Sequence, residues 1–150
     1  MTLEADLSCL RSVPLFRTLP GPRLKLVALM GERLNFDAGT IILGEGEQPE
    51  GVYFILEGEA ELAEVGADGG ARRFTFRPGS LFGDVPLLSG QRYIGELTAK
   101  TDVATLRLPK DLFFELLETI PDFSIALSRD LASRLYRLAD SVLHSGEKVH

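Results

Sequence analysis

A chain of 150 residues with 45% hydrophobic and 25% charged positions is long enough to bury an independent core and reads as one domain, 1–150. Its net charge of −6 argues against a dedicated nucleic-acid binder, which would carry a basic face. The lone cysteine, Cys9, rules out an intrachain disulfide and a thiolate metal cluster, and no apolar run approaches the ~18 residues of a membrane span.

The N-terminus, MTLEADLSCLRS, carries Glu4 and Asp6 and lacks the apolar centre of a signal peptide. The expectation is a cytoplasmic protein that touches neither nucleic acid nor membrane. Residues 4–30 read as short helices. Pro20-Gly21-Pro22 breaks them, Leu24, Val27 and Ala28 then recur at helical spacing, and Gly31 is the stop.

From residue 33 to 108 the pattern changes to about eight short apolar or alternating runs between glycine-containing turns, the signature of a β-rich domain. Residues 40–43 form one run. Residues 51–56 are apolar on both faces, as in a fully buried strand. Residues 60–65 follow, and Ala67-Asp68-Gly69-Gly70 makes a hairpin turn. Residues 73–77 alternate, which puts Phe74 and Phe76 on one face. Runs at 93–99 and 103–108 complete the set. With no long helix between the strands, the fold is mainly β with flanking helices: an antiparallel β-roll or jelly roll.

Two C-terminal helices are expected over 110–143. Leu112, Phe113, Leu116, Leu117 and Ile120 share a face that Pro121 ends. The second helix, from about residue 122 to 143, carries Leu131, Leu135, Leu138 and Val142 at alternating spacings of four, three and four. Such a stripe either packs on the roll or forms a dimer seam. The polar tail, 145–150, is expected to fray.

Catalytic chemistry finds little support. His144 and His150, the only histidines, lie at the C-terminal end, so no histidine cluster sits on the strands to hold a metal. Cys9 has no histidine near it in sequence to act as its base. No carboxylate pair stands out as an acid/base couple. The reading is not an enzyme, with no cofactor and no metal.

The informative segment is residues 80–93. Gly83, Asp84 and Pro86 interrupt the strand pattern, and residues 85–88 form one helical turn. A helix start inside a roll offers backbone N–H groups to an anion, with Arg92 close by in sequence. The alternative is an ordinary loop that plugs the roll.

These residues resemble the cyclic nucleotide-binding domain family, in the form used as the sensor half of Crp/Fnr-type regulators. The resemblance covers about residues 5–143. It is carried by Leu10-Arg-Ser-Val-Pro-Leu-Phe16, Phe36-Asp-Ala-Gly39 followed by Gly46, Gly51-Val-Tyr-Phe-Ile-Leu-Glu-Gly58, Pro78-Gly79, Phe82-Gly83-Asp84 and Ala99-Lys-Thr-Asp-Val103. It implies a β-roll with a phosphate-binding cassette, and a C-terminal helix that covers the base or forms a dimer.

In that family a glutamate after Phe-Gly holds the ribose 2′-hydroxyl. A backbone N–H two residues on faces the cyclic phosphate, and an arginine near the cassette's end pairs with it. The corresponding positions here are Asp84, Pro86, which has no N–H, and Tyr93, with Arg92 one place earlier. If 93–99 is already strand, that one-residue slip turns Arg92 away and places Tyr93 with Leu97 and Ala99. The expected ligand-binding set is Phe82, Gly83, Asp84, Val85, Pro86 and Leu87, with Arg92 and Tyr93. The expected interface is Leu131, Leu135, Leu138 and Val142.

Two functions follow. One is a stand-alone sensor that binds a cyclic nucleotide (cAMP or cGMP) weakly, or a related ligand. The other is a ligand-independent module that uses the C-terminal helix for a homodimer or a partner protein.

Overall fold

Residues 52–56 are apolar at every position, and the chain folds so that both faces of this strand are covered. The computed structural model describes residues 3–65 and 71–149. Three helices come first: α1 (Leu3–Arg11), α2 (Pro14–Arg17) and α3 (Gly21–Met30). Eight strands follow among the described residues: β1 (Glu32–Phe36), β2 (Ile41–Leu43), β3 (Gly51–Glu57), β4 (Ala60–Val65), β5 (Ala71–Phe76), β6 (Leu81–Phe82), β7 (Glu96–Ala99) and β8 (Val103–Pro109). A short helix, α4 (Asp84–Ser89), separates β6 from β7. Helices α5 (Lys110–Thr119) and α6 (Pro121–Val149) close the chain.

All strand pairs are antiparallel, in two four-stranded sheets ordered β1-β8-β3-β6 and β2-β7-β4-β5. The β-roll with flanking helices is therefore the observed fold. Because strand side chains alternate, β3 serves two cores. Val52, Phe54 and Leu56 point into a helical core with Leu10, Phe16, Val27, Phe113 and Phe123. Tyr53 and Ile55 point between the sheets, with Ile42, Phe82, Leu97 and Ala99. Phe16 meets Phe54 edge-to-face, ring centroids 5.3 Å apart, and lies 6.3 Å from Phe123.

The helix boundaries follow local chemistry. Met30 ends α3 because Gly31 turns extended and lies against Leu106. Pro121 cannot continue α5, whose last carbonyls are capped by Ile120 N–H donating to Leu116.

Three expectations change. The strand expected over 93–99 begins only at Glu96. Its partner β2 ends at Leu43, so the ladder stops and Tyr93 bonds instead to the loop at Gly46 and Glu47. The last helix does not stop at 143 but continues through Val149, since no proline interrupts it and a polar tail remains compatible with intrahelical bonding. The segment 81–82, read as part of a loop, is the two-residue strand β6. Of the two phenylalanines on β5, Phe76 packs between the sheets and Phe74 is more exposed. The hairpin turn at 67–70 lies outside the described residues.

Phe16→Ala is expected to lower stability by about 3–5 kcal/mol, because it deletes a ring that bridges α2, β3 and α6. Urea unfolding followed by circular dichroism measures it; a loss below about 1 kcal/mol contradicts this account of the helical core.

Candidate functional site

A cavity of about 210 Å³ opens between the two sheets beneath β6 and α4. Its walls are mainly apolar, formed by Leu43, Leu62, Phe76, Phe82, Ile94 and Leu97. Phe82 is held by stacking on Tyr53, with centroids 4.9 Å apart and planes 9° from parallel. Phe76 meets it edge-on at 5.8 Å.

Gly83 makes the turn from β6 into α4 in the left-handed region, at φ +87°. Glycine is required there twice over: a Cβ would stand 2.8 Å from the Tyr93 hydroxyl and 3.1 Å from the Gly51 carbonyl oxygen. The turn drives Asp84 inward at the start of α4, where it is only 1% exposed. Pro86 fits the first turn of the helix, where its missing N–H breaks no helical bond. The same absence removes a donor from the site.

A carboxylate buried this deeply needs a counter-charge. Arg134 of α6 supplies it, donating from Nη2 to Asp84 Oδ2 at 2.6 Å and from Nη1 to Oδ1 at 3.5 Å. Asp130, one turn earlier on α6, lies 2.8 Å from the same Nη2. Burial opposes the Arg134 charge, but the hydrogen bond and charge of Asp84, with Asp130 behind them, more than offset it. The guanidinium pKa is raised.

Tyr93 fills the far side. Its backbone is fixed by two hydrogen bonds: its N–H donates to Glu47 O at 3.1 Å, and its carbonyl accepts from Gly46 N–H at 2.9 Å. Its ring packs with the inter-sheet core, and its hydroxyl is buried without a hydrogen-bond partner. Burial, then the neighbouring Tyr53 and Glu47, push the Tyr93 phenol well above its ordinary pKa. Arg92 is exposed and donates from Nη1 to Gly46 O at 3.0 Å. The side-chain directions argued from a strand register are thus produced by a loop pairing.

The structure gathers Phe82, Gly83, Asp84, Val85, Pro86, Arg92 and Tyr93 around the cavity. Val85 is exposed, and Arg92 has its guanidinium on the 46–47 loop. Leu87 departs from the expected set: the helical turn carries it to the other side of α4, where it packs against the helical core. Along α6, Leu131 packs at the edge of that core, whereas Leu135, Leu138 and Val142 are exposed. Sequence reasoning missed Arg134. The only local signal was its spacing from Asp130, which fixes a helix face but does not point to Asp84.

Among the described residues no group of three or more His, Cys, Asp or Glu could hold a metal, and no helix is long and apolar enough to cross a membrane. A family model described as the cyclic nucleotide-binding domain matches residues 33–120. The chain belongs to the cyclic nucleotide-binding domain family, whose role is regulatory. Lysophospholipase NTE1 of Chaetomium globosum is 32% identical over 121 residues, covering 79% of this chain but only 8% of that protein.

Among solved structures, the sensor domain of the transcriptional regulator DNR from Pseudomonas aeruginosa shares the fold. Its TM-score is 0.78 at 18% identity, over 92% of this chain and 93% of that one. The regulatory subunit of a cAMP-independent protein kinase A from Trypanosoma cruzi, bound to guanosine, gives a TM-score of 0.76 at 26% identity. That match covers 96% of this chain and 50% of the other.

Tyr93→Phe removes a buried hydroxyl that has no partner, and is expected to stabilise the apo domain by about 1 kcal/mol. Chemical denaturation tests this; a loss of stability means the hydroxyl is bonded in solution.

Proposed function

We propose that this is a non-catalytic, cytoplasmic sensor domain whose cavity takes an uncharged, nucleoside-type ligand in preference to a cyclic phosphate. The observation that supports this reading is Tyr93, seated where the family resemblance calls for an arginine. Pro86 withholds one backbone donor, and Arg92 is engaged with Gly46. The remaining cation at the cavity, Arg134, is shared between two carboxylates. Both arginines that line the cavity therefore already hold protein acceptors.

The size of the effect decides between ligands. A charge-assisted hydrogen bond contributes roughly 1.5–3 kcal/mol. Losing an arginine pair and a backbone donor weakens a cyclic nucleotide by roughly 10²–10³-fold. An uncharged nucleoside loses nothing by the same change. The cavity, at about 210 Å³, lies below the roughly 300–1,000 Å³ of pockets for drug-sized ligands, which favours the smaller of the two. The Trypanosoma cruzi relative, bound to guanosine, offers a parallel.

Calorimetry with guanosine, adenosine, cGMP and cAMP tests the assignment. Each nucleoside is expected to bind at least about tenfold more tightly than its cyclic monophosphate. Tyr93→Arg with Pro86→Ala is expected to strengthen cGMP or cAMP binding by about 10²-fold. Micromolar binding of either cyclic nucleotide by the native chain overturns the reading.

The exposed Leu135, Leu138 and Val142 favour a second element of the reading, a homodimer through α6. Two such stripes would bury each other's apolar side chains in a short coiled-coil seam. Light scattering across a dilution series is expected to show a dimer that Leu135→Asp converts to monomer, with little change in the stability of the roll. A monomer at every concentration counts against it and turns attention to a partner protein.

A further inference from the structure

A second cavity, of about 240 Å³, lies on the side of α4 toward which Leu87 is turned. Pro86 and Leu87 wall it from the helix, and Pro49 walls it from the loop between β2 and β3. The polar side chains that line it are Gln48, Gln91, Arg92 and Lys110. Its two charged groups are both cations, and no carboxylate is among the lining residues.

Backbone bonding brings these groups together. The 46–50 loop is tied at one end by Tyr93 N–H donating to Glu47 O at 3.1 Å and by Arg92 Nη1 donating to Gly46 O at 3.0 Å. At its other end Lys110 N–H donates to Glu50 O at 3.2 Å. Arg92 and Lys110 are thereby held at opposite ends of one short loop, with Gln48 and Pro49 between them. The bond to Gly46 keeps the Arg92 guanidinium on this loop.

Neither cation is neutralised by the protein. Among the described residues Lys110 makes no ion pair, and the one side-chain bond of Arg92 goes to an uncharged carbonyl. Lys110 also opens α5, whose first turn has no side-chain cap because Pro109 stands at the capping position. The positive end of that helix adds to the field of the two side chains. Asp111, in the same turn, is exposed and does not line the cavity.

We propose that this outer cavity is a second ligand site, which takes the phosphate group of a small molecule between Arg92 and Lys110. Arginine presents a planar fork to phosphate oxygens and lysine a mobile point charge. The carboxamides of Gln48 and Gln91 supply both donors and acceptors for hydroxyl groups beside the phosphate. The arginine that leaves the inter-sheet cavity without a free cation thus serves an anion on the outside of the cassette. The site stands whatever the inter-sheet cavity binds.

Nuclear magnetic resonance of the full chain, titrated with pyrophosphate at constant ionic strength, tests the proposal. Saturable shifts are expected at Gln48, Gln91, Arg92 and Lys110. Lys110→Ala and Arg92→Ala are each expected to weaken binding at least about tenfold, the loss of one charge-assisted contact. Lys25→Ala, which removes an exposed lysine on α3, is expected to change it less than about twofold. Both tested side chains are exposed, so the variants are expected to fold. Shifts that never saturate, or an equal loss in Lys25→Ala, mean diffuse attraction of an anion and overturn the site. Shifts centred on Leu43, Phe76 and Phe82 place the anion in the inter-sheet cavity and overturn it as well. Ribose 5-phosphate and inorganic phosphate, titrated in turn, separate the sources: tighter binding of the sugar phosphate supports an organic ester that the carboxamides also hold, and equal binding supports free phosphate.

Discussion

The structure depends on a strand that has no solvent side. β3 is covered by helices on one face and by the second sheet on the other, and its alternating residues seed two separate cores. A strand with apolar side chains on both faces is stable only when both are covered. The N-terminal helices, α5 and the first part of α6 cover one face, and the β2-β7-β4-β5 sheet covers the other. The short β6 and the helix after it are stitched into both, with Leu81 and Leu87 toward the helices and Phe82 toward the roll. The cassette is therefore positioned by two cores at once.

Within that frame, electrostatics governs the site. Gly83 turns Asp84 into the protein, and a carboxylate so deeply buried is tolerated only when paired. Arg134 meets that requirement from the far end of the chain, and in doing so sets where the outer part of α6 runs. Tyr93 takes the space on the opposite wall and leaves Arg92 outside. The family's frame is kept while the charge distribution around the cavity is changed, and the ligand preference proposed for it follows from that change.

Much of this was readable in one dimension. β3 was evident because an unbroken apolar run of strand length has few alternatives. The Pro121 break and the Gly31 stop follow from backbone chemistry that holds wherever those residues occur. Phe82-Gly83-Asp84 and the mismatch at Pro86 and Tyr93 were legible through the order and spacing of the family's motifs. β6 was not, because two residues carry no period. The start of β7 was misplaced because it depends on where a different strand, β2, ends. Leu87 was assigned to the cavity by adjacency, whereas the rotation of about 100° per residue along α4 turns it toward the helical core. Arg134 was invisible because ion pairs across 50 residues leave no local pattern, and an Asp–Arg spacing of four on a polar helix face is common.

The division of labour around β3 also bears on how such a domain changes over generations. The residues that line the cavity sit largely in the inter-sheet core or at its rim, whereas the helical core, with Phe16, Phe54, Phe113 and Phe123, is a separate set. Substitutions well apart and without shared partners add nearly independently. A lineage can therefore exchange an arginine for a tyrosine or a donor for a proline in the cavity wall without disturbing the helical packing that keeps the domain folded. The two-faced strand works as a firewall: it lets chemical specificity drift on one side while heritable architecture is conserved on the other.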